Sequence, residues 1–274
     1  MYKHIGIVAC SYEGAALCYQ TICYEGANYL GKHAHPEISL HNHPLNEYMK
    51  YIELSDWEGV SKIMLSSANK LYKLGADFLI SPDNTIHQSF SFVEKDSPLP
   101  WLHISEEVTK VALQNNYKKV GILGTKFLME GPVYPEKFEE KNITFLIPET
   151  EQRAKINEII FNELVCGEIK EDSKKYFLSV IESLKFKGCD SVVLGCTEIP
   201  LIVLPQDSSL PVLDSTRILA RAALRYALYK LVKIICCLQR YSPQIAQPDM
   251  NLHCIIPGKI LRIIPGLLAS IHDG

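Results

Sequence analysis

Short apolar runs alternate with amphipathic segments along most of the chain. The apolar runs span residues 5–10, 38–41, 77–81, 120–124, 144–147 and 191–194. The helix-like segments among them span residues 57–74, 105–115, 151–165 and 173–186. A short continuous apolar run is typical of a strand covered on both faces, as in a parallel sheet. This alternation therefore predicts an α/β fold in which helices connect parallel strands.

The second half of the chain repeats the pattern of the first half. GADFLISPDNTIH begins at Gly75 and GCDSVVLGCTEIP begins at Gly188, a shift of 188 − 75 = 113 residues. The same shift places Asp83 opposite Cys196, since 196 − 83 is also 113. IGIVAC at residue 5 matches VGILGT at residue 120, and LPWLHI at residue 99 matches LPVLDS at residue 210. Four anchors in the same order predict an internal duplication.

The duplication predicts two similar Rossmann-like lobes with parallel sheets, related by a pseudo-twofold axis. We expect residues 1–97 together with 210–228 to form lobe one, and residues 98–209 to form lobe two. Residues 229–274 form a C-terminal extension that the repeat does not assign. Parallel sheets bind ligands at the carboxyl ends of their strands, so the expected site is the cleft between the lobes.

Asp83 and Cys196 each follow a predicted strand and are the candidate catalytic residues. Facing each other across the cleft, they would approach one ligand from opposite sides. Two such groups suit racemisation, because one removes the Cα proton and the other returns a proton from the far side. We expect a lowered pKa for the Cys196 thiol, since a helix N-terminus follows it in the predicted turn.

Polar residues at the same strand ends are candidates for holding a substrate carboxylate. These candidates are Ser11, Asn84, Thr85, Thr125 and Thr197. Taken singly, Cys196 is equally well explained as a buried thiol, and residues 83–85 as an Asx turn that closes a strand. Their matched positions in the two halves favour the functional interpretation.

Composition narrows the class of protein. The chain has 274 residues, 47% of them hydrophobic, and a net charge of −3, which gives no basic surface for nucleic acid. Nine cysteines without a CxxC pair, and an N-terminus unlike a signal peptide, predict reduced thiols in the cytoplasm. No apolar run is long enough to span a membrane. No nucleotide-binding glycine motif occurs, and the His-x-His pairs at 33–35 and 41–43 are not completed to a metal site.

Two motifs resemble those of the aspartate/glutamate racemase family. GCTEIP at residues 195–200 is similar to the second active-site motif of that family. PDNTIH at residues 82–87 is similar to the first motif, Pro-Cys-Asn-Thr-x-His, with Asp83 in place of the cysteine. The resemblance covers about residues 3–228, including residues 12–22, 45–57 and 214–216.

The resemblance implies two α/β domains, a site between them, and a homodimer that racemises an acidic amino acid without pyridoxal phosphate or another cofactor. It implies that Cys196 is one of the two bases, and that Asn84, Thr85 and Thr197 bind the substrate carboxylate. The partner is then a small acidic amino acid, aspartate or glutamate, with neither nucleic acid nor a membrane involved.

The first lobe departs from the family pattern at the turn after the first strand and at one further position. Ala9-Cys10-Ser11 replaces a glycine-rich turn, and Tyr48 aligns with an arginine of some aspartate-selective members. With Asp83 in place of the first cysteine, three interpretations stay open. Asp83 and Cys196 form a working mixed pair, or Cys196 acts alone in one-sided chemistry such as a decarboxylation, or the chain binds a ligand without turnover.

Overall fold

Two parallel sheets form the core of the molecule. The computed structural model describes residues 2–241, 253–256 and 259–262. The first sheet has the order β2-β1-β3-β4 and consists of β1 (Ile5–Ala9), β2 (Ile38–Asn42), β3 (Phe78–Ile80) and β4 (Trp101–Leu102). The second has the order β6-β5-β7-β8 and consists of β5 (Lys119–Leu123), β6 (Thr144–Leu146), β7 (Ser191–Leu194) and β8 (Val212–Asp214). The identical strand order confirms an α/β protein of two similar lobes.

Helices connect the strands and cover both faces of each sheet. The helices of the first half are α1 (Tyr12–Leu30), α2 (Leu45–Ile52), α3 (Trp57–Lys73), α4 (Phe90–Asp96) and α5 (Ile104–Gln114). Those of the second half are α6 (Lys126–Met129), α7 (Pro135–Glu139), α8 (Thr150–Asn162), α9 (Glu171–Phe186), α10 (Ile199–Ile202) and α11 (Ser215–Tyr241). Short 3₁₀ turns occur at Thr85–Ser89 and Leu164–Cys166.

The first sheet is buried on both faces. Ile7 packs on one face against Ile22 of α1 and Leu219 of α11. Val8, which points to the opposite face, packs in a second cluster with Met64 of α3. All five side chains are completely buried, and burial of each contributes about 1.5–3 kcal/mol. This two-sided burial explains why the strand sequences read as continuous apolar runs.

The second sheet is built in the same way. Ile122 packs with Ala112 of α5 on one face. Val192 packs on the other face with Ile160 of α8 and Phe177 of α9. Each lobe is therefore a helix–sheet–helix sandwich.

Two helices cross between the lobes. α5 follows the last strand of the first sheet, yet its Val108 packs in the core of the second lobe. α11 follows the last strand of the second sheet, and its Leu219 and Ala223 pack in the core of the first lobe. Each lobe is thus covered in part by a helix whose preceding strand belongs to the other lobe.

Strand pairing corrects the expected lobe boundaries at two short segments. The sequence analysis assigned residues 98–209 to lobe two, but Trp101 pairs with Leu79 in the first sheet. It also assigned residues 210–228 to lobe one, but Val212 pairs with Val192 in the second sheet. The physical reason is that each strand after a Leu-Pro step completes its own sheet, and the chain crosses to the other lobe in the following helix.

The repeated Gly-x-Asp sequence has the same structural role in both lobes. Gly75 and Gly188 have φ values of +88° and +89°, the left-handed conformation that ends the preceding helix. Two residues later, the Asp77 carboxylate accepts a hydrogen bond of 2.7 Å from the backbone N–H of His4. Asp190 likewise accepts one of 2.6 Å from the backbone N–H of Lys118. Each aspartate thus fixes the residue just before the first strand of its lobe.

The C-terminal extension, residues 229–274, is only partly described. α11 continues to Tyr241, and β9 (His253–Ile256) pairs antiparallel with β10 (Lys259–Arg262). Residues 242–252, 257–258 and 263–274 lie outside the described residues. Within the described residues, no helix combines the length and the apolar character needed to cross a membrane.

We predict that Gly188→Ala destabilises the protein by about 1–2 kcal/mol, because a Cβ atom is strained in the left-handed conformation. Urea unfolding followed by circular dichroism measures the change. Lys73→Ala, an exposed change near the end of α3, is the control and should alter the free energy of unfolding by less than about 0.5 kcal/mol. Equal stability of Gly188→Ala and the parent chain would contradict this role of the glycine.

Candidate active site

The strand ends of the two lobes place the predicted site residues beside one another. β1 pairs with β3 so that Ile7 lies opposite Ile80, and continuing this register puts Cys10 level with Asp83. In the second lobe, Leu123 lies opposite Leu194, and the same continuation puts Thr125 level with Cys196. Each lobe therefore presents an adjacent pair of chemically active side chains at the carboxyl edge of its sheet.

A single cavity of about 40 Å³ joins these two edges. Its polar lining consists of Cys10, Ser11, Asp83 and Thr85 from the first lobe and Thr125, Cys196 and Glu198 from the second. The remaining lining is apolar and comes from Leu45, Met49, Ile52, Phe127, Ile160, Phe161 and Val165. Of the described residues that line the cavity, none is a lysine, arginine or histidine.

Glu198 is the central hydrogen-bond acceptor among the polar side chains at the cavity. Its carboxylate is buried at 2% exposure. It accepts hydrogen bonds from the Cys196 thiol at 2.9 Å and the Thr197 hydroxyl at 2.7 Å. Ser11, from the other lobe, donates a third at 2.7 Å. The sequence analysis did not select Glu198, although a carboxylate inside GCTEIP and next to a candidate thiol was an available signal.

The Cys196 environment raises the pKa of its thiol well above the usual value, which corrects the expected lowering. Burial is the main cause, followed by the negative charge of Glu198 and the hydrogen bond that the thiol donates to it. Asp83 adds a smaller effect in the same direction. The helix that follows, α10, has only four residues, and its N-terminus does not offset two neighbouring carboxylates. Cys196 is therefore a neutral thiol at neutral pH.

Asp83 lines the cavity from the first lobe, and its pKa is shifted strongly upward. Burial, and then the charge of Glu198, raise the pKa of Asp83 from 3.8 to about 7. Hydrogen bonds from the backbone N–H of Ser11, at 3.1 Å, and from the Cys10 thiol act in the lowering direction. At neutral pH this carboxyl therefore exists in both protonation states, which suits a group that exchanges protons.

Thr85 and Thr125 tie the two lobes together at the cavity. Their hydroxyl oxygens are 2.9 Å apart, one from each lobe. Both line the cavity. A ligand carboxylate between the lobes would therefore meet hydroxyl groups from both sides. Their role in binding substrate stays a prediction.

Asn84 and Thr197 do not line the cavity. The Asn84 amide donates to Ser215 at 2.9 Å and accepts from the Tyr134 hydroxyl at 2.6 Å, so both ends of the amide already have partners in the second lobe. The Thr197 hydroxyl is directed to Glu198. In this structure both residues hydrogen-bond to neighbouring side chains of the site. Direct contact with substrate stays a prediction for each.

The histidine pairs lie away from the cavity. His41 hydrogen-bonds to Ser67 at 3.0 Å and His43 to Ser66 at 3.1 Å, which places both rings against α3. Among the residues whose side chains are described, no group of three or more histidine, cysteine or acidic side chains is arranged to hold a metal ion.

The fold and the cavity define a two-lobed α/β protein in which Asp83 from one lobe and Cys196 from the other line the same cavity. The sequence model of the Asp/Glu/hydantoin racemase family matches residues 7–223, so the chain belongs to this family. The match includes both motifs that carry Asp83 and Cys196. The family resemblance stated from the sequence is thereby confirmed.

Individual relatives support this assignment. The chain is 25% identical over 167 residues to the broad specificity amino-acid racemase RacX of Bacillus subtilis, covering 61% of this chain and 72% of the relative. It is similar to the crystal structure of a candidate Asp/Glu racemase from Yersinia pestis, with a TM-score of 0.75, 32% identity, and coverage of 82% and 99% of the two chains. It is also similar to an aspartate racemase homologue from Pyrococcus horikoshii OT3, with a TM-score of 0.71, 30% identity, and coverage of 83% and 99%. The named relatives are racemases, which are isomerases, and this confirms the enzyme class predicted from the sequence.

We predict that Glu198→Gln lowers the pKa of the Cys196 thiol by about one unit, because it removes a neighbouring negative charge. The rate of alkylation by iodoacetamide at pH 8, read by mass spectrometry of the Cys196 peptide, should then rise by about tenfold. Glu158→Gln, on the exposed face of α8, is the control. An unchanged rate in Glu198→Gln would mean that Glu198 does not set the titration of Cys196.

We predict that Asp83→Asn raises the melting temperature at pH 8 by at least about 2 °C. Because the folded-state pKa of Asp83, about 7, exceeds its ordinary value of 3.8, ionisation destabilises the fold. The cost is absent below pH 3.8, grows as the pH rises towards 7, and is constant above. The gain should therefore shrink at pH 4.5. Asp172→Asn, whose side chain is 97% exposed, is the control, and an equal gain at both pH values would contradict the shift.

Proposed function

We propose that the chain is a cofactor-independent amino-acid racemase that transfers a proton between the two faces of a substrate Cα. The observation that carries this proposal is the placement of Cys196 and Asp83, one from each lobe, on the same cavity. Membership of the racemase family supports it. A homodimer in a reducing cytoplasm belongs to the same proposal, and the free thiols of the described cysteines fit such a compartment.

The two sides of the cavity have the complementary protonation states that one turnover requires. Burial raises the pKa of the Cys196 thiol, which is therefore a proton donor at neutral pH. Asp83, with a pKa of about 7, provides a carboxylate on the other side. Removal of the Cα proton on the Asp83 side and protonation by Cys196 on the far side inverts the centre. The reverse reaction starts from the Cys196 thiolate and protonated Asp83.

Substrate entry requires the lobes to separate. The cavity of about 40 Å³ is far smaller than a typical ligand pocket of roughly 300–1,000 Å³. The Ser11–Glu198 and Thr85–Thr125 hydrogen bonds connect the lobes across it. We propose that these bonds break when the site opens, and that the Ser11, Thr85 and Thr125 hydroxyls then hold the substrate carboxylate. Asn84 and Thr197 keep these groups in position.

An acidic amino acid, aspartate or glutamate, is the first candidate substrate, as the family resemblance implies. A second candidate is an amino acid with an uncharged side chain. It is favoured by the apolar part of the cavity wall and by the lack of a cationic side chain among the described lining residues. A second carboxylate would lie near Asp83 and Glu198 without a charge partner, which is costly in a buried site.

The test is proton NMR in D₂O with L-aspartate, L-glutamate, L-alanine and L-methionine, together with chiral chromatography of the products. We expect loss of the Cα proton signal and appearance of the D-enantiomer for at least one of them. Cys196→Ala and Asp83→Asn should each reduce the rate by about 10² or more. Cys189→Ala, which removes a buried thiol outside the cavity lining, should keep it.

The other outcomes separate the alternatives. Exchange of the Cα proton without inversion would indicate one-sided chemistry by Cys196, including the decarboxylase-like alternative if CO₂ is released. No exchange with any substrate would contradict the proposal. A ligand-dependent rise in melting temperature in that case would indicate a binding protein without turnover.

A further inference from the structure

Cys10 is a second thiol on the cavity that the proposed reaction has not yet used. It follows β1 and is only 2% exposed. It lines the cavity together with Asp83 and Cys196. On its other side it packs in the core cluster that contains Val8 and Ile52 of α2. Its thiol therefore belongs to the wall of the site, between the sheet edge and α2.

Asp83 faces Cys10 directly. One carboxylate oxygen, Oδ2, accepts the backbone N–H of Ser11 at 3.1 Å. The Cys10 thiol lines the same cavity, and burial and then the charge of Asp83 raise its pKa. The Ser11 hydrogen bond holds Asp83 against the turn that follows β1. A carboxylate anchored in this way is well placed to exchange a proton with the thiol beside it.

Each lobe contributes one thiol, but from a different strand. In the second lobe the thiol, Cys196, follows β7, and its neighbour after β5 is Thr125. In the first lobe the equivalent of the Cys196 position is occupied by Asp83, and the thiol follows the neighbouring strand as Cys10. Burial, and then the charges of Asp83 and Glu198, raise the pKa of Cys10, and the same two carboxylates act on Cys196, so the two thiols share one electrostatic environment.

A reversible racemase needs on each face a group that removes a proton in one direction and supplies one in the other. Burial and the same pair of carboxylates raise the pKa values of the Cys10 and Cys196 thiols. Asp83, with a pKa of about 7, is the weaker base. Chemistry therefore favours a thiol on each face.

We propose that Cys10 is the catalytic thiol of the first lobe, and that Asp83 is a positioning residue that exchanges protons with Cys10 rather than with the substrate. This inference rests on the proposed racemase function and refines it. In this chain, Asp83 stands where the first family motif has its cysteine. Cys10, after the adjacent strand, supplies the thiol instead.

The proton balance of one turnover is closed. The Asp83 carboxylate accepts the S–H proton of Cys10, and the Cys10 sulfur accepts the proton of the breaking Cα–H bond. The electron pair of that bond stays on Cα. Cys196 then gives its S–H proton to the opposite face of Cα and becomes a thiolate. The negative charge has moved from Asp83 to Cys196, and the reverse reaction or exchange with water restores it.

The experiment uses the amino acid that the full chain racemises most rapidly, offered separately as its L- and D-enantiomers in D₂O. Cys10→Ala and Cys10→Ser are compared with Cys18→Ala, a thiol that is also completely buried but packs on the other side of the sheet. We expect both Cys10 variants to lose racemisation by about 10² or more. The Cα proton of the enantiomer that Cys196 deprotonates should still exchange, whereas that of the other enantiomer should not.

A double variant tests the requirement for a thiol on this face. Cys10→Ala combined with Asp83→Cys returns a thiol to the neighbouring strand end and should regain about tenfold or more over Cys10→Ala alone, within the range of general acid–base catalysis. Circular dichroism checks the fold of each variant, and Cys10→Ser preserves the side-chain volume if the alanine variant is unstable.

The outcomes distinguish this inference from the proposed function. If the full chain is active and both Cys10 variants stay within about threefold of it, well below the effect of losing an acid/base group, Cys10 is only a buried thiol and the inference is overturned. An equal loss of exchange with both enantiomers would show a structural role and would also overturn it. If the full chain itself exchanges no amino acid, the proposed function fails first and Cys10 has no reaction to serve.

Discussion

The site depends on the hydrogen bonds that the buried carboxylate of Glu198 accepts. The carboxylate accepts hydrogen bonds from Cys196 in its own lobe and from Ser11 in the other lobe, so one buried carboxylate joins the lobes and adds to the effect of burial in raising the pKa of the thiol. The lobes meet closely here because residue 14 lacks a side chain. A Cβ atom on Gly14 would lie 2.1 Å from Cγ2 of Thr197. Packing at the start of α1 and electrostatics at the cavity are therefore parts of one contact.

The contact also determines the charge of the cavity, because it buries the Glu198 carboxylate near Asp83. Glu198 and Asp83 share a cavity whose described lining contains no cationic side chain, so burial and mutual repulsion determine the protonation states. Proton affinity is raised at Asp83, Cys10 and Cys196 together. A substrate ammonium group would relieve this excess of negative charge on entering. The same arrangement lowers the stability of the fold as the pH rises from 3.8 to about 7.

The sequence predicted the fold well, because the signals for it are local or repeated. Continuous apolar runs identified the strands, and the recurrence of Gly-x-Asp identified the duplication. The lobe boundaries were wrong at Trp101 and Val212, because a strand of two or three residues carries no local signal for the sheet that it joins. Pairing with Leu79 or Val192 is a long-range fact that only the three-dimensional structure supplies.

Most of the predicted site residues line one cavity, whereas Asn84 and Thr197 do not, and the electrostatics of the cavity were not predicted. Matched positions in the repeat led to Asp83 and Cys196, and the structure places both on one cavity. The predicted direction of the Cys196 pKa shift was wrong. The sequence indicated a helix N-terminus after the thiol, but it did not indicate the burial of the thiol or its contact with Glu198. Cys10 was seen only as part of a departure from a glycine-rich turn. Its meaning depends on the register between β1 and β3, which places a thiol next to a carboxylate 73 residues away along the chain (83 − 10).

The two copies of the repeat show which features a duplicated fold keeps and which it changes. Gly75 and Gly188 have nearly the same backbone conformation, because the turn from helix to strand leaves no alternative. Asp83 and Cys196, eight residues further on in each copy, differ because residues past a strand end face the cavity rather than the core. The scaffold therefore constrains the start of each strand, whereas the chemistry of the cavity constrains its end. A thiol lost at one strand end is compensated most simply at the adjacent strand end, where the parallel sheet brings Cys10 level with Asp83.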